Sequence, residues 1–188
     1  MKILAFGGSN AKDSINKTLA EYAAKQFNGA EVEVLDLNDY EMPLFSTDRE
    51  KHDGIPTLAL RFAEKVDASD LLIISLAEHN STYTVAFKNV FDWISRIKDR
   101  KHFGEKPVFL LATATGPGGG KNVVAAFEAR APFSGANVLQ SFTLPKFKDN
   151  FDAEQGIVNE EKKAEFQEKL SFVKNFLDKI LEIDIKNA

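Results

Sequence analysis

The sequence predicts an α/β fold in which a parallel β-sheet is covered by helices on both faces. Short apolar runs alternate along the chain with longer segments of helical periodicity, and this alternation is typical of parallel strands connected by helices. The chain has 188 residues, which is enough to bury a core of two or three layers. We therefore expect residues 1–188 to form a single domain.

Five apolar runs predict strands, and five periodic segments predict helices. The predicted strands are Lys2–Gly7, Glu31–Leu37, Leu71–Leu76, Pro107–Ala112 and Asn137–Leu144. The predicted helices are Asn16–Phe27, Pro56–Val66, Thr84–Ile97, Asn122–Arg130 and Glu160–Ile183. The last helix should close the sheet, because one of its faces carries the apolar side chains of Phe166, Leu170, Val173, Leu177, Ile180 and Leu181.

Two connecting segments, Asn38–Ile55 and Pro145–Asn159, are longer than usual connections in a compact domain. Long loops of this kind are often functional. In the second segment, Phe147 and Phe151 lie among lysines and aspartates. This pattern suggests that the two aromatic rings lie over a ligand or at a subunit contact.

Composition and charge exclude several classes of function. The net charge of −4 gives no electrostatic reason to bind nucleic acid or an anionic membrane. The chain has no cysteine, which excludes disulfides and thiol catalysis and fits a reducing compartment. The first apolar run is too short for a signal peptide, and no run approaches transmembrane length. We therefore expect a cytoplasmic protein with no membrane or nucleic-acid partner.

The turn after the first predicted strand is the most informative motif. Residues 6–17 have the sequence FGGSNAKDSINK, so that Ser9, Ser14 and Asn16 follow two glycines and precede a helix. Glycines allow the backbone to approach a ligand closely, and the N–H groups that open a helix bind anions. The turn lacks the G-x-G-x-x-G spacing of dinucleotide sites, so it favours a phosphomonoester. The alternative is a strand-to-helix turn with a capping serine and no ligand.

Three loops should meet at one edge of the sheet. In an open parallel sheet, ligands bind beyond the carboxyl ends of the strands, where the strand order reverses. Residues 8–16, 77–83 and 113–121 leave such ends. The second and third loops offer close backbone approach and polar edges that suit a flat heteroaromatic ring. Together with the phosphate-sized turn, they predict a mononucleotide with a large ring.

Other chemistries are not supported by the motifs. Gly120-Lys121 is not a P-loop, because the required first glycine and the required serine or threonine are absent. Ser9 does not lie in a G-x-S-x-G turn, so acyl transfer is not expected. The three histidines, His52, His79 and His102, lack ligand spacing, and we expect no metal site.

Three blocks of the chain resemble the NAD(P)H-dependent FMN reductase family. They are G-S-x-x-x-x-S-x-N at residues 8–16, E-x-N-S at 78–81 leading into K-N-x-x-D-W-x-S-R at 88–96, and the glycine-rich turn at 116–120. The resemblance extends over residues 2–144. It implies a flavodoxin-like, three-layer fold with five parallel strands in the order 2-1-3-4-5. It also implies tightly bound FMN and the reduction of a quinone, flavin or similar acceptor by NADPH or NADH.

The resemblance further implies which residues bind FMN. Ser9, Ser14, Asn16 and the Lys17 amide would hold the phosphate; Glu78, His79 and Asn80 would line the isoalloxazine ring, chiefly through backbone groups; and Thr113, Thr115 and Gly116 would flank its other edge.

Several residues in these blocks depart from the family pattern or have a second interpretation. Ala11 stands where many relatives have an arginine, and the neighbouring Lys12 offers only a point charge to a phosphate. Lys88 and Asp92 are spaced as an i,i+4 ion pair. Trp93 and Arg96 belong either to a subunit contact or to packing within the chain.

The implied chemistry needs no dedicated catalytic side chain. Hydride would pass from the nicotinamide to the flavin, and electrons would then pass to a second substrate at the same face in a ping-pong cycle. His79 is the candidate for a direct role, and an exposed loop histidine is the alternative. The resemblance also implies a homodimer or homotetramer. Two other functions stay open: an FMN-binding electron carrier or redox-responsive interaction protein, and a phosphate-binding module without flavin.

Overall fold

The computed structural model describes the backbone of residues 1–187 and the side chains of residues 1–180. Five parallel strands form the central sheet, helices cover both of its faces, and two short hairpins lie in the connections. In chain order the elements are β1 (Lys2–Gly8), α1 (Ile15–Lys25), β2 (Glu31–Leu35), a 3-10 turn (Leu37–Tyr40), α2 (Thr47–Asp53), α3 (Thr57–Asp67), β3 (Leu71–Leu76), β4 (Glu78–His79), β5 (Thr82–Tyr83), α4 (Val85–Ile94), β6 (Lys106–Thr113), α5 (Lys121–Ser134), β7 (Ala136–Leu144), α6 (Phe147–Asn150), β8 (Phe151–Asp152), β9 (Gly156–Ile157) and α7 (Glu160–Asn187).

The main sheet has the order β2-β1-β3-β6-β7, and every neighbouring pair is parallel. If these five strands are numbered 1 to 5 along the chain, their order is 2-1-3-4-5, as expected. The direction of winding reverses between β1 and β3, because β2 lies on one side of β1 and all later strands lie on the other. A crevice at this point is where open α/β sheets bind ligands.

The core lies in two layers, one on each face of the sheet. Alternate residues of β1 show the division: Leu4 and Phe6 point to the side of α3, α4 and α5, whereas Ile3 and Ala5 point to the side of α1 and α7. Because both faces are covered, all six residues of β3 are buried. This explains why the strands lack the alternation of a half-exposed sheet.

Most predicted elements are present, with shifted ends. Strand β2 ends two residues before the predicted end, because the Asp36 carboxylate accepts a hydrogen bond from Asn38 N and begins the 3-10 turn. Helix α5 continues past the predicted Arg130 and includes Pro132 before it ends at Gly135. Of the expected face of α7, residues 166, 170, 173 and 177 are buried and Ile180 is exposed; the side chain of Leu181 lies outside the described residues.

The interpretation of Phe147 and Phe151 as aromatic rings over a ligand or at a subunit contact is wrong. Their rings stack at 4.7 Å between centroids, and Phe151 packs edge-on against Tyr22 of α1 at 5.3 Å. Phe147 belongs to the buried cluster beneath α1 and α7, against which Phe151 packs. Segment 145–159 is not irregular either, because it forms α6 and the hairpin of β8 and β9.

Segment 38–55 also contains regular structure, namely the end of the 3-10 turn and helix α2. None of the described helices is both long enough and apolar enough to cross a membrane. Within the described side chains, no three His, Asp or Glu residues gather as ligands for a metal ion.

Candidate functional site

Three loops leave the carboxyl ends of β1, β3 and β6, which are adjacent strands of the sheet. Direct hydrogen bonds connect the structures that follow these strands. The Thr84 hydroxyl at the start of α4 donates to Gly8 O at the end of β1, over 2.8 Å. The expected convergence of the three loops therefore follows from the sheet order and is fixed by specific contacts.

The loop after β1 has the features of a phosphate cradle. Ser14 is the N-cap of α1, and its Oγ accepts a hydrogen bond from Lys17 N at 3.2 Å. The Ser9 Oγ accepts one from Ala11 N at 3.1 Å. Helix α1 starts so close to β1 that a Cβ on Gly7 would lie 2.5 Å from Lys17 N, so only glycine fits there. The opening N–H groups of the helix and two hydroxyls thus share one turn.

The charged end of Lys17 lies away from its amide. Its Nζ pairs with the Asp36 carboxylate at the end of β2, at 2.5 Å. This hydrogen bond is the main cause of the lowered pKa of Asp36, and the hydrogen bond from Asn38 N adds to it. What Lys17 offers to the turn is therefore its main-chain N–H.

The Asn16 side chain is not aimed at a ligand in this structure. It is 3% exposed. Its Oδ1 accepts hydrogen bonds from Ser75 Oγ at 2.8 Å and Thr113 N at 3.0 Å, and its Nδ2 donates to Thr113 O at 3.1 Å. It ties the start of α1 to the ends of β3 and β6. The amide side chain that was expected to contact a phosphate is therefore occupied by groups of β3 and β6.

The loop after β3 is a short hairpin formed by β4 and β5. Asn80 and Ser81 make its turn with φ of +50° and +64°, the left-handed conformation that a two-residue hairpin turn requires at both central positions. His79 and Asn80 are exposed on this hairpin. Glu78, at its base, points its carboxylate to the start of α5 and accepts hydrogen bonds from Asn122 N and Val123 N.

The loop after β6 presents a mixture of buried and exposed groups. Thr113 is buried, and its hydroxyl donates to Leu144 O at 2.6 Å, so its side chain holds β7 and does not reach an open edge. Thr115 is exposed, and Gly116 O accepts a hydrogen bond from Lys146 N. The structure therefore leaves Thr115 and the backbone near Gly116 for a bound ring.

A cleft of about 310 Å³ lies beside the first two loops. Asn10, His79 and Thr84 line one side of it. The other side is segment 37–44, with Leu37, Tyr40, Met42 and Leu44 among its lining residues. From the sequence, this segment was predicted only to be an unusually long connection, and none of its residues was predicted to belong to the site.

The K-N-x-x-D-W-x-S-R block holds this wall in place. Asn89 accepts a hydrogen bond from Phe45 N at 2.9 Å and donates to Met42 O at 3.1 Å, and the buried Trp93 Nε1 donates to Pro43 O at 2.7 Å. The Lys88–Asp92 ion pair is present at 2.7 Å on the same helix.

Arg96 also stays within the chain. It pairs with Glu50 at 2.9 Å and lies over the Phe45 ring. Trp93 and Arg96 therefore belong to intramolecular packing, which was one of the two expected possibilities.

Three residues that line the cleft have ionisable side chains: Tyr40, Glu41 and His79. Burial raises the pKa of Tyr40, so its hydroxyl is neutral at physiological pH. His79 is the one histidine among the lining residues. The hydroxyls and N–H groups of the first loop, together with a cleft that both polar and apolar residues line, fit an FMN-sized ligand with an anionic tail.

Fold and site together define a class: a flavodoxin-like α/β protein whose candidate ligand site lies at the carboxyl ends of β1, β3 and β6. The family model described as NADPH-dependent FMN reductase matches residues 1–149, and the chain belongs to this family. FMN as prosthetic group and a nicotinamide as reductant follow from that membership, as does an oxidoreductase activity.

Relatives named as oxidoreductases agree with this assignment, and a solved structure agrees with the fold. The chain is 26% identical to an NADPH:quinone oxidoreductase of Arabidopsis thaliana over 184 residues, which are 94% of this chain and 91% of the relative. It is 30% identical to an NADPH azoreductase of Bacillus sp. (strain OY1-2) over 139 residues, 74% and 73% of the two chains. The structure of FerB, a flavoenzyme NAD(P)H:(acceptor) oxidoreductase from Paracoccus denitrificans, superimposes with a TM-score of 0.72 at 24% identity and covers 94% of this chain and 95% of that one.

Proposed function

We propose that this protein is an FMN-dependent NAD(P)H oxidoreductase that reduces a quinone, a flavin or a similar small acceptor in a ping-pong cycle. The observation that carries the proposal is the phosphate-sized turn after β1, placed beside two further loops at the switch point of a flavodoxin-like sheet. Bound FMN supplies the redox chemistry, since it takes up a hydride from the nicotinamide and gives electrons to the acceptor.

In this proposal the first loop holds the FMN phosphate. Ser9 and Ser14 contribute hydroxyls, and Asn16 and Lys17 contribute main-chain N–H groups at the start of α1. The Lys17 N–H donates to Ser14 Oγ, so the phosphate would share it with that hydroxyl. The Asn16 side chain acts indirectly, because it fixes the helix start against β3 and β6. With Ala11 in the loop, no arginine assists, so N–H groups and hydroxyls provide most of the binding.

The other two loops hold the ring in this proposal. The hairpin contributes the backbone of Glu78, His79 and Asn80, and the third loop contributes Thr115 and the backbone at Gly116. Thr113 supports this edge from below through its bonds to Asn16 and Leu144. N–H groups fixed by the fold stabilise negative charge without reorganisation, which is the electrostatic contribution that flavin reduction needs from the protein.

We place the acceptor and the nicotinamide in the cleft between the hairpin and segment 37–44, which they would occupy in turn. Leu37, Met42 and Leu44 give this cleft an apolar wall, and apolar walls with a few polar groups suit flat organic acceptors. His79 lies at the edge of the cleft, where it can contact an acceptor, and among the described side chains none hydrogen-bonds its ring.

We further propose a homodimer or homotetramer that works in the cytoplasm. Leu44 and Val85 both line the cleft and are 58% and 69% exposed. Exposed apolar side chains beside a binding cleft are typical of a surface that another molecule covers. A second copy would cover this rim in an isologous contact, and analytical ultracentrifugation of wild-type protein and of Val85→Asp tests this arrangement.

Anaerobic half-reactions test the proposed activity. Protein loaded with FMN and washed is mixed with NADPH or with NADH, and the visible flavin absorbance is followed before a quinone is added in a second mixing step. Rapid bleaching followed by reoxidation supports the ping-pong reductase. Retained FMN that neither nicotinamide bleaches would favour an electron carrier, and loss of FMN on washing would contradict both.

A further inference from the structure

Helix α5 begins without a capping side chain of its own. Its N-cap is Gly120, which has φ of +86° and provides no side-chain hydrogen bond. A Cβ at this position would lie 2.6 Å from the Cβ of Ala112 on β6. A serine, threonine or aspartate therefore cannot stand at the N-cap, although such residues normally satisfy the first N–H groups of a helix.

The missing cap comes from the hairpin after β3. One carboxylate oxygen of Glu78 accepts hydrogen bonds from Asn122 N at 2.9 Å and Val123 N at 3.0 Å, and the other accepts one from Asn122 Nδ2 at 3.1 Å. A carboxylate at a helix N-terminus is also favoured by the helix dipole. Glu78, which lies 44 residues before Asn122 in the chain, thus takes the place of a local N-cap.

These three hydrogen bonds join two of the three loops that frame the site. The hairpin carries His79 and Asn80, and α5 is preceded by the glycine-rich turn at residues 116–120. β4 and β5 have only two residues each, so the hairpin has little pairing of its own to fix its position. Tyr83 and Thr84 hold one end of the hairpin against α4 and β1, and the Glu78 carboxylate connects its base to the start of α5.

We propose that Glu78 is a positioning residue for the flavin ring: its carboxylate clamps the hairpin to α5 and so fixes the width of the slot that the ring enters. The inference rests on the proposed FMN site and goes beyond the backbone contacts assigned to residue 78 there. The clamp needs the reach of the side chain and its acceptor oxygens. The negative charge adds a favourable interaction with the helix dipole, but the length of the side chain and its acceptor oxygens set the spacing.

Two substitutions at residue 78 separate the effect of side-chain length from the effect of charge. Glu78→Gln keeps the length and one acceptor oxygen for the two N–H groups, while its NH2 can pair with the oxygen of a rotated Asn122 amide. Glu78→Asp keeps the charge but is one methylene shorter, so it cannot span the same gap. Glu78→Ala removes the clamp altogether.

The experiment measures the dissociation constants of FMN and riboflavin for the apo form of wild-type protein and of each variant. Glu78→Asp and Glu78→Ala are expected to weaken both flavins by about tenfold or more, equally for the two ligands, because the phosphate is held elsewhere; a tenfold loss corresponds to about 1.4 kcal/mol. Glu78→Gln should stay within about threefold of wild type. Hydrogen exchange should rise together at residues 78–83 and 116–123 in Glu78→Asp.

A matched control is Asp152→Ala. Asp152 also accepts hydrogen bonds from two backbone N–H groups, those of Glu154 and Gln155, but it does so in the hairpin of β8 and β9. It should lower stability without changing the affinity for either flavin or the visible circular dichroism of bound FMN. Glu78→Asp should change both. If Glu78→Ala does not fold, Glu78→Asp alone still decides the test.

Two results would overturn the inference. In one, Glu78→Asp binds both flavins as wild type does, so reach is irrelevant. In the other, Glu78→Gln loses as much affinity as Glu78→Ala, so the charge acts and not the clamp. Failure of the FMN site itself looks different, because the wild-type protein then binds neither flavin.

Discussion

Removal of the Asn16 amide is expected to be among the most damaging single changes near the site. In Asn16→Ala, Thr113 N, Thr113 O and Ser75 Oγ each lose the partner they have in the folded protein, and both residues are almost fully buried. A buried polar group without a partner costs about 1–3 kcal/mol. The three together sum to about 3–9 kcal/mol. We expect about 3–5 kcal/mol, because a single substitution rarely costs more than about 5 kcal/mol, and this is a large part of the typical total of about 5–15 kcal/mol.

Urea unfolding of the apoprotein measures this loss. The chain has one tryptophan, and because Trp93 is buried its fluorescence reports unfolding directly. In Asn16→Ala, the urea concentration at the unfolding midpoint should fall, and the dependence of the unfolding free energy on urea concentration should change little. The melting temperature should fall by about 10 °C. Asn38→Ala is the matched control, because Asn38 is exposed and its side chain bonds only Asp36; it should cost about 0.5 kcal/mol. Equal stability of the two variants would refute the structural role of Asn16.

Three further predictions concern single side chains. Trp93→Phe removes the donor to Pro43 O and should speed hydrogen exchange at residues 41–45, whereas unchanged exchange would mean that this bond does not hold the cleft wall. The hydrogen bond from Lys17 holds the pKa of Asp36 below the ordinary 3.8. The pair therefore stabilises the fold above pH 3.8, and this contribution is lost as the pH falls through the pKa of the folded protein. The free energies of unfolding of wild type and Asp36→Asn should differ at pH 7 and become equal at a pH below that pKa. Burial raises the pKa of Tyr83 from 10.0 to about 12, so the free energy of unfolding should decline as the pH rises between these values. In urea unfolding at a series of pH values, Tyr83→Phe should lose less stability over this range than wild type.

The sheet and the place of the site were predictable from the sequence for a physical reason. Strands buried on both faces, such as Leu71–Leu76, give unbroken apolar runs, and parallel strands must be separated by helices. Once the strands are known, the loops at their carboxyl ends are known too. The turn with Ser9 and Ser14 was predictable because its residue types reflect local backbone needs.

Contacts between distant parts of the chain were not predictable in this way. An asparagine at a helix start has the same local pattern whether it binds a phosphate or, like Asn16, the ends of two strands. The bond from Glu78 to α5 and the bond from Trp93 to segment 41–45 leave no periodic signal, because they depend on how the elements pack. Phe151 is misleading because its charged neighbours suggest exposure, while Tyr22 covers its ring from another helix.

The central claim is that the loop after β1 holds the phosphate of FMN, and the ratio of FMN to riboflavin affinity tests it most directly. Ser14→Ala removes a hydroxyl and an N-cap from α1, and Ser46→Ala removes an equivalent N-cap from α2, which belongs to none of the three loops. We expect Ser14→Ala to weaken FMN by about tenfold more than riboflavin, and Ser46→Ala to leave the ratio unchanged. Equal weakening of both flavins by Ser14→Ala would contradict phosphate binding at this turn.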